Sequence, residues 1–243
     1  MTTALRREYL AAMGLESWSL RAPPATRGAT AAMQITDDEP TARDEPTARD
    51  ERTAHREAAF DWGQLRERVA ACTRCSLAAT RTQTVFGVGD VSADWVVVGE
   101  APGAEEDRRG EPFVGRAGQL LNSMLRAIGL AREQVYIANM LKCRPPGNRD
   151  PSAGEVAECS PYLERQVTLL KPKIMLVVGR IAAQSLLRTT VPLGRLRQQV
   201  HAYGASQVPM VVTYHPAYLL RTPGDKRKAW EDLKFAREVS TRG

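Results

Sequence analysis

Four apolar runs, residues 95–98, 135–140, 174–178 and 208–213, recur along the chain with helix-like stretches between them. Each run is too short for a helix, so each reads as a buried strand. The period changes in the stretches between. Leu120, Leu121, Met124, Leu125 and Ile128 follow the i, i+3, i+4 spacing of one helix face, and Gly129 is a natural stop. Ser152 and Glu155 form a capping box behind Pro151, opening a helix that runs through Leu170. Further helices are expected over residues 181–187 and 226–239. Strands alternating with helices restrict the chain to the α/β class. The expected architecture is a three-layer α/β/α sandwich around a central, mostly parallel four-stranded sheet.

The first sixty residues do not share this pattern. DEPTAR at residues 38–43 is repeated at 44–49 and varied as DERTAH at 50–55. Six residues match neither a strand nor a helix period, and almost nothing in the segment is apolar. Residues 22–57 therefore read as a disordered linker. Ahead of it, residues 5–21 place Leu5, Tyr9, Leu10 and Met13 at helical spacing. Two readings are open for this peptide, a partner-binding helix or a fraying one. The expected organisation is a peptide at 1–21, the linker at 22–57 and a folded domain at 58–243. No apolar run is long enough to cross a bilayer, and residues 1–20 lack the apolar block of a secretory signal. The expectation is a cytoplasmic monomer with reduced thiols. A formal net charge of +6 suits a nucleic-acid partner without requiring one.

Open parallel sheets bind ligands beyond the carboxyl ends of their strands. The unusual residues of this chain lie there: GEAPG at 99–103, NMLKCRPPGNRDP at 139–151 and YHPAYLLR at 214–221. GEAPG fixes a tight turn able to present backbone N–H groups. After it, Phe113 and Arg116 precede a helix, and an exposed Phe113 either stacks on a flat base or plugs the loop. His215 opens the last loop, either as a structural residue or as a donor to a leaving group. Leu219, Leu220 and Arg221 form either an apolar wedge flanked by charge, holding DNA open, or core packing. Cys72 and Cys75 make a CxxC pair, with Cys143 and Cys159 downstream. These are the chain's four cysteines, enough for one zinc ion or a [4Fe–4S] cluster, and the chemistry alone leaves both open.

Taken in order, CxxC, GEAPG, EPFVGRAGQLL, NMLKCRPPGNRDP, a fourth Cys and HPAYLL resemble the iron–sulfur, type 4 uracil-DNA glycosylases. The resemblance covers roughly residues 60–240. It implies hydrolysis of the N-glycosidic bond of uracil in single- or double-stranded DNA, leaving an abasic site for base excision repair. It implies that Cys72, Cys75, Cys143 and Cys159 bind a structural [4Fe–4S] cluster. Gly99, Glu100 and Ala101 would line the uracil pocket, Phe113 would stack on the base, and Asn139 would read O4 and N3–H. His215 would contact O2, and Glu106 would sit near C5 and exclude a thymine methyl. Arg116, Leu219, Leu220 and Arg221 would meet the DNA. Ala101 stands where related glycosylases carry an aspartate, so the group that activates water is open between Glu100 and Asn148. Residues 142–151 contain no histidine, which argues for turnover against covalent attachment to DNA. The competing readings are a metal-clasped DNA-binding protein without catalysis and an enzyme for another damaged base. Separately, residues 5–21 resemble the N-terminal peptide of the psi subunit of the bacterial clamp-loader assembly. That resemblance implies docking on the chi subunit.

Overall fold

The computed structural model describes residues 60–242. The peptide at 5–21 and the repeats within 22–57 lie outside the described residues. The chain enters through helix α1 (Trp62–Ala70), capped by Asp61 and Gln64 bonding each other's backbone N–H. A two-residue strand β1 (Val88–Gly89) and the buried strand β2 (Trp95–Gly99) follow. Helices α2 (Ala104–Arg109) and α3 (Arg116–Ala127) lead to β3 (Tyr136–Asn139). Helix α4 (Ala153–Leu170) starts on the expected capping box, Ser152 Oγ accepting from Glu155 N and Glu155 Oε2 from Ser152 N. Then come β4 (Ile174–Val178), α5 (Arg180–Leu187), the single turn α6 (Leu193–Leu196), β5 (His201–Tyr203) and β6 (Val208–Thr213). Helices α7 (Pro216–Arg221) and α8 (Lys226–Arg242) complete the described chain.

The sheet runs β1-β3-β2-β4-β6-β5. Its four central strands are the four expected ones, and they pair in parallel. The expected strand count is corrected from four to six, because β1 and β5 add antiparallel edges against β3 and β6.

Side-chain alternation divides the core between the two faces of the sheet. Trp95, Val97, Ile137, Ile174, Leu176, Val178 and Val211 pack with α3, α7 and α8. Val96, Val98, Tyr136, Ala138, Met175, Val177, Met210 and Val212 pack with α4, α5 and α6. This is the expected three-layer sandwich. Burying one leucine on such a face contributes about 1.5–3 kcal/mol. A third apolar cluster joins Leu65 and Val69 of α1 to Leu77, Phe86, Leu141, Cys143, Cys159 and Tyr162.

The connections decide where a ligand can sit. The chain leaves β2 toward the α3 face and leaves its neighbour β4 toward the α5 face. Adjacent strands feeding opposite faces open a crevice at their carboxyl ends. Among the described residues no helix is long and apolar enough to cross a membrane.

Candidate active site at the strand ends

Gly99, Asn139, Gly179 and His215 stand at or just past the ends of the four central strands. Gly99 has no side chain because none fits: a Cβ there would lie 2.5 Å from Asn139 Oδ1 and 2.7 Å from Phe113 Cζ. Its absence lets the amide and the ring approach one another. Asn139 is 2% exposed, yet its carboxamide makes no hydrogen bond among the described residues. Buried amides are nearly always paired in folded proteins. An open one at a strand end is a feature of a binding site.

Phe113 is buried, not exposed as expected from the sequence. Its φ is +55°, a left-handed conformation that costs a bulky residue energy. The neighbouring structure holds it there. Glu106 Oε1 accepts from Val114 N at 3.0 Å and Gly115 N at 3.4 Å, and its Oε2 accepts from Gly103 N at 3.1 Å. Arg132 donates to Pro112 O at 2.7 Å and to Glu111 Oε1 at 3.0 Å. Gly118 lets the helix start under the loop, since a Cβ there would lie 1.7 Å from Phe113 O. The result is a ring inclined 30° to the His215 imidazole, centroids 5.7 Å apart. Glu106 thus braces the loop that carries Phe113.

His215 is the N-cap of α7, where its Nδ1 accepts from Ala217 N at 3.1 Å. An accepting Nδ1 leaves the ring proton on Nε2. Burial and the nearby Arg221 charge lower the His215 pKa to about 4. The ring is therefore neutral at pH 7, with Nε2–H free to donate. Behind it, Gly179 has φ +106°, and a Cβ there would lie 3.1 Å from His215 Cβ and 3.4 Å from Cδ2. Gly179→Ala should force both the backbone and the imidazole to move. We expect kcat to fall by about tenfold to a hundredfold, because misplacement near 1 Å costs that much. Steady-state kinetics with a melting curve check it.

Glu100 follows Gly99, half-buried in the crevice between β2 and β4. Burial, with Asp150 adding repulsion and Arg180 opposing, raises its pKa to about 7. A carboxylate poised there is matched to proton transfer near neutrality. Asn148, the other candidate, lies in the loop that also carries Asp150. It is exposed, with φ +55°, and its Oδ1 accepts from Arg144 Nε at 2.8 Å. Ala101 packs against the third apolar cluster, beside the cysteines.

The expected DNA wedge is corrected in part. Leu219 is 1% exposed and belongs to the core, because the phase of α7 turns it inward. Leu220 is half-buried on the same core, while Arg116 and Arg221 are exposed. A groove of about 400 Å³ lined by Ile128, Trp230 and Arg237 lies at the far end of α3, on the opposite edge of the sheet.

The four cysteines gather around the third apolar cluster, Cys143 and Cys159 buried, Cys72 and Cys75 half-buried. Cys143 Sγ accepts from Arg81 Nη1 at 3.1 Å, and Cys159 Sγ accepts from Lys142 N at 3.3 Å. Burial pushes both thiols up, Cys159 to about 12, so neither ionises without a compensating cation. Among the described residues no three His, Cys, Asp or Glu side chains converge closely enough to share one metal ion. A cubane gives each thiolate its own iron, which sets its ligands further apart than those of a single zinc. A set of only sulfur donors, two of them already accepting from N–H groups, fits such a cluster.

Sequence reasoning missed Gly179, Gly118 and Arg132. Gly118 lies within EPFVGRAGQLL, whereas Gly179 and Arg132 sit in none of the quoted motifs. A glycine directly after an apolar run was the one available signal for Gly179.

The class of protein follows from comparison of this site-bearing stretch. The family model described as the uracil DNA glycosylase superfamily matches residues 86–234, which carry every strand-end group above. The type-4 uracil-DNA glycosylase of Archaeoglobus fulgidus is 44% identical over 179 residues, covering 70% of this chain and 89% of that protein. The type-4 uracil-DNA glycosylase of Sulfurisphaera tokodaii is 40% identical over 184 residues, covering 73% and 84%. That of Pyrobaculum aerophilum is 40% identical over 179 residues, covering 71% and 91%. The chain belongs to the uracil-DNA glycosylase superfamily, in its type-4 branch.

Proposed function

We propose that this protein hydrolyses the N-glycosidic bond of uracil in DNA, releasing the base and leaving an abasic site. The observation that carries the reading is the unpaired Asn139 amide beside the strained Phe113 ring, across from a neutral His215. A flipped uracil enters edge-on to Asn139, which accepts from N3–H and donates to O4. Phe113 stacks on its face. Glu106 and Arg132 act through the Phe113 loop, as positioning residues.

Bond cleavage leaves negative charge on the base and oxocarbenium character on the sugar. His215 Nε2–H donates to O2 as that charge develops, without carrying a proton that it would have to lose. Glu100 is the group best placed to orient and deprotonate water, being half-buried and poised near pH 7. Asn148 is committed to Arg144 and is set aside. Arg116 and Arg221 meet the phosphates, with Leu220 left as the apolar contact beside the opened stack.

His215→Ala should lower kcat about a hundredfold with little change in KM, the usual cost of removing one donor to a developing anion. Single-turnover kinetics on a uracil-containing oligonucleotide measure it.

Cys72, Cys75, Cys143 and Cys159 would hold a [4Fe–4S] cluster, whose contribution is structural. It clasps α1 to the Cys143 loop and to α4. Iron and sulfide analysis with an absorbance band near 400 nm tests this, and stoichiometric zinc in a colourless protein contradicts it. Free thiols of this kind suit a reducing compartment such as a bacterial cytosol. Docking of residues 5–21 on a chi subunit rests on the peptide pattern alone. A pull-down in which deleting residues 1–21 leaves chi capture unchanged ends that idea.

The enzyme reading is tested by incubating purified protein with uracil-containing single- and double-stranded DNA, then cleaving abasic sites with alkali. Strand breaks only at uracil are expected. No product from either substrate overturns it.

A further inference from the structure

Lys142 is an unexpected residue to find inside this fold. It is 1% exposed. Its ammonium donates to the backbone carbonyl of Asn139 at 2.8 Å and to Gln166 Oε1 at 2.6 Å. Gln166 is itself fully buried, and its Nε2 donates to Phe86 O at 2.9 Å and Tyr136 Oη at 3.2 Å. Among the described residues no carboxylate pairs with Lys142. Burial lowers the Lys142 pKa to about 8, and the neighbouring Cys159 and Cys143 oppose that shift. Its own backbone N–H donates to Cys159 Sγ.

A buried ammonium needs a counter-charge or it leaves the interior. Carbonyl oxygens solvate it but do not neutralise it. Four thiolates on an iron–sulfur cubane leave the assembly net negative, and Lys142 precedes one of these cysteines, Cys143, and bonds another, Cys159, through its backbone N–H. Arg81 is a second cation at the cysteines, donating to Cys143 Sγ and, through Nη2, to Cys72 O at 2.7 Å. Only Lys142 also reaches the residue that faces the base.

We propose that Lys142 is a positioning residue that ties the cysteine clasp to base recognition, held by the cluster's negative charge and in turn holding the Asn139 peptide. This rests on reading the four cysteines as ligands of one iron–sulfur cluster. With the cluster in place the ammonium stays between the sulfurs and the Asn139 carbonyl. That fixes the peptide from which the Asn139 carboxamide projects. Without it the ammonium has no counter-charge, and the carbonyl loses its donor. The clasp is then a structural element whose presence is felt at the uracil edge.

The test is Lys142→Met in the full chain, a side chain of similar length without charge. Three quantities are read: iron content, the midpoint potential of the cluster, and the split between kcat and KM on a uracil-containing oligonucleotide. Removing a neighbouring cation should move the potential to a more negative value. It should also lower kcat by roughly tenfold, with KM nearly unchanged, as expected for a misaimed recognition group. Lys142→Met with full iron, wild-type potential and wild-type kcat overturns the proposal. Gln166→Leu keeps every charge and removes one acceptor of the ammonium. It should lower kcat while leaving the potential where it is, and it serves if Lys142→Met does not fold. Wild-type kcat in Gln166→Leu also overturns the link. Wild-type protein without iron overturns the cluster reading instead, and that is read before any variant is made.

Discussion

Asn139→Ala should lower kcat/KM on uracil-containing DNA about a thousandfold, while the protein keeps its fold. In the proposed function the open amide is the group that meets N3–H and O4 of the base. Removing it leaves N3–H and O4 of uracil buried without partners. Sites built around hydrogen bonds lose several orders of magnitude when those bonds go unmade. Stability should change little, because the carboxamide has no partner among the described residues to lose. Gel assays of alkali-cleaved product measure the rate, and thermal melting checks the fold. A rate within tenfold of wild type would falsify the assignment of Asn139 as the uracil reader.

Glu100→Gln should be the other severe variant, slowing the chemical step about a thousandfold, within the range that a general base contributes. Its pH dependence is more telling than its size. Glu100 must be ionised to accept a proton, and its pKa is raised to about 7. The wild-type rate should therefore climb with unit slope as pH rises toward about 7, then level off. Glu100→Gln should lose that limb. His215 ionises near pH 4 and contributes nothing in this window. Stability has the opposite sign. The native state holds the Glu100 proton more tightly than the unfolded chain does. The fold therefore loses some stability as pH rises from about 4.5 to about 7. A flat pH profile between pH 5 and 8 would remove Glu100 from its role.

The central sheet and both helical layers could be read from residues alone, because the four parallel strands are continuous apolar runs. The two edge strands could not. Val88–Gly89 and His201–Tyr203 are only two and three residues long and carry no alternation. Leu219 and Leu220 show another limit. Two adjacent leucines do not reveal which faces inward until the helix phase is known, and His215 capping α7 sets that phase. The order of motifs located the site, but not how it is held. Phe113 takes a left-handed backbone conformation in a loop that Glu106 and Arg132 brace. Lys142 lay in view within the cysteine loop. Nothing in a sequence distinguishes a buried lysine from the far commoner solvated one.

His215 uses its two ring nitrogens for unlike purposes. Nδ1 fastens the first turn of α7 by accepting from Ala217, while Nε2 faces the chemistry. A second proton must go onto Nδ1, and a protonated Nδ1 can no longer accept. Because the folded His215 pKa of about 4 lies below the ordinary imidazole value of 6.5, the stability it contributes is complete above about 6.5 and drains away as pH falls toward 4. Acid inactivation and the loosening of α7 are thus one titration read in two ways. The helix start acts as a latch on the tautomer, keeping the imidazole competent wherever the protein stays folded.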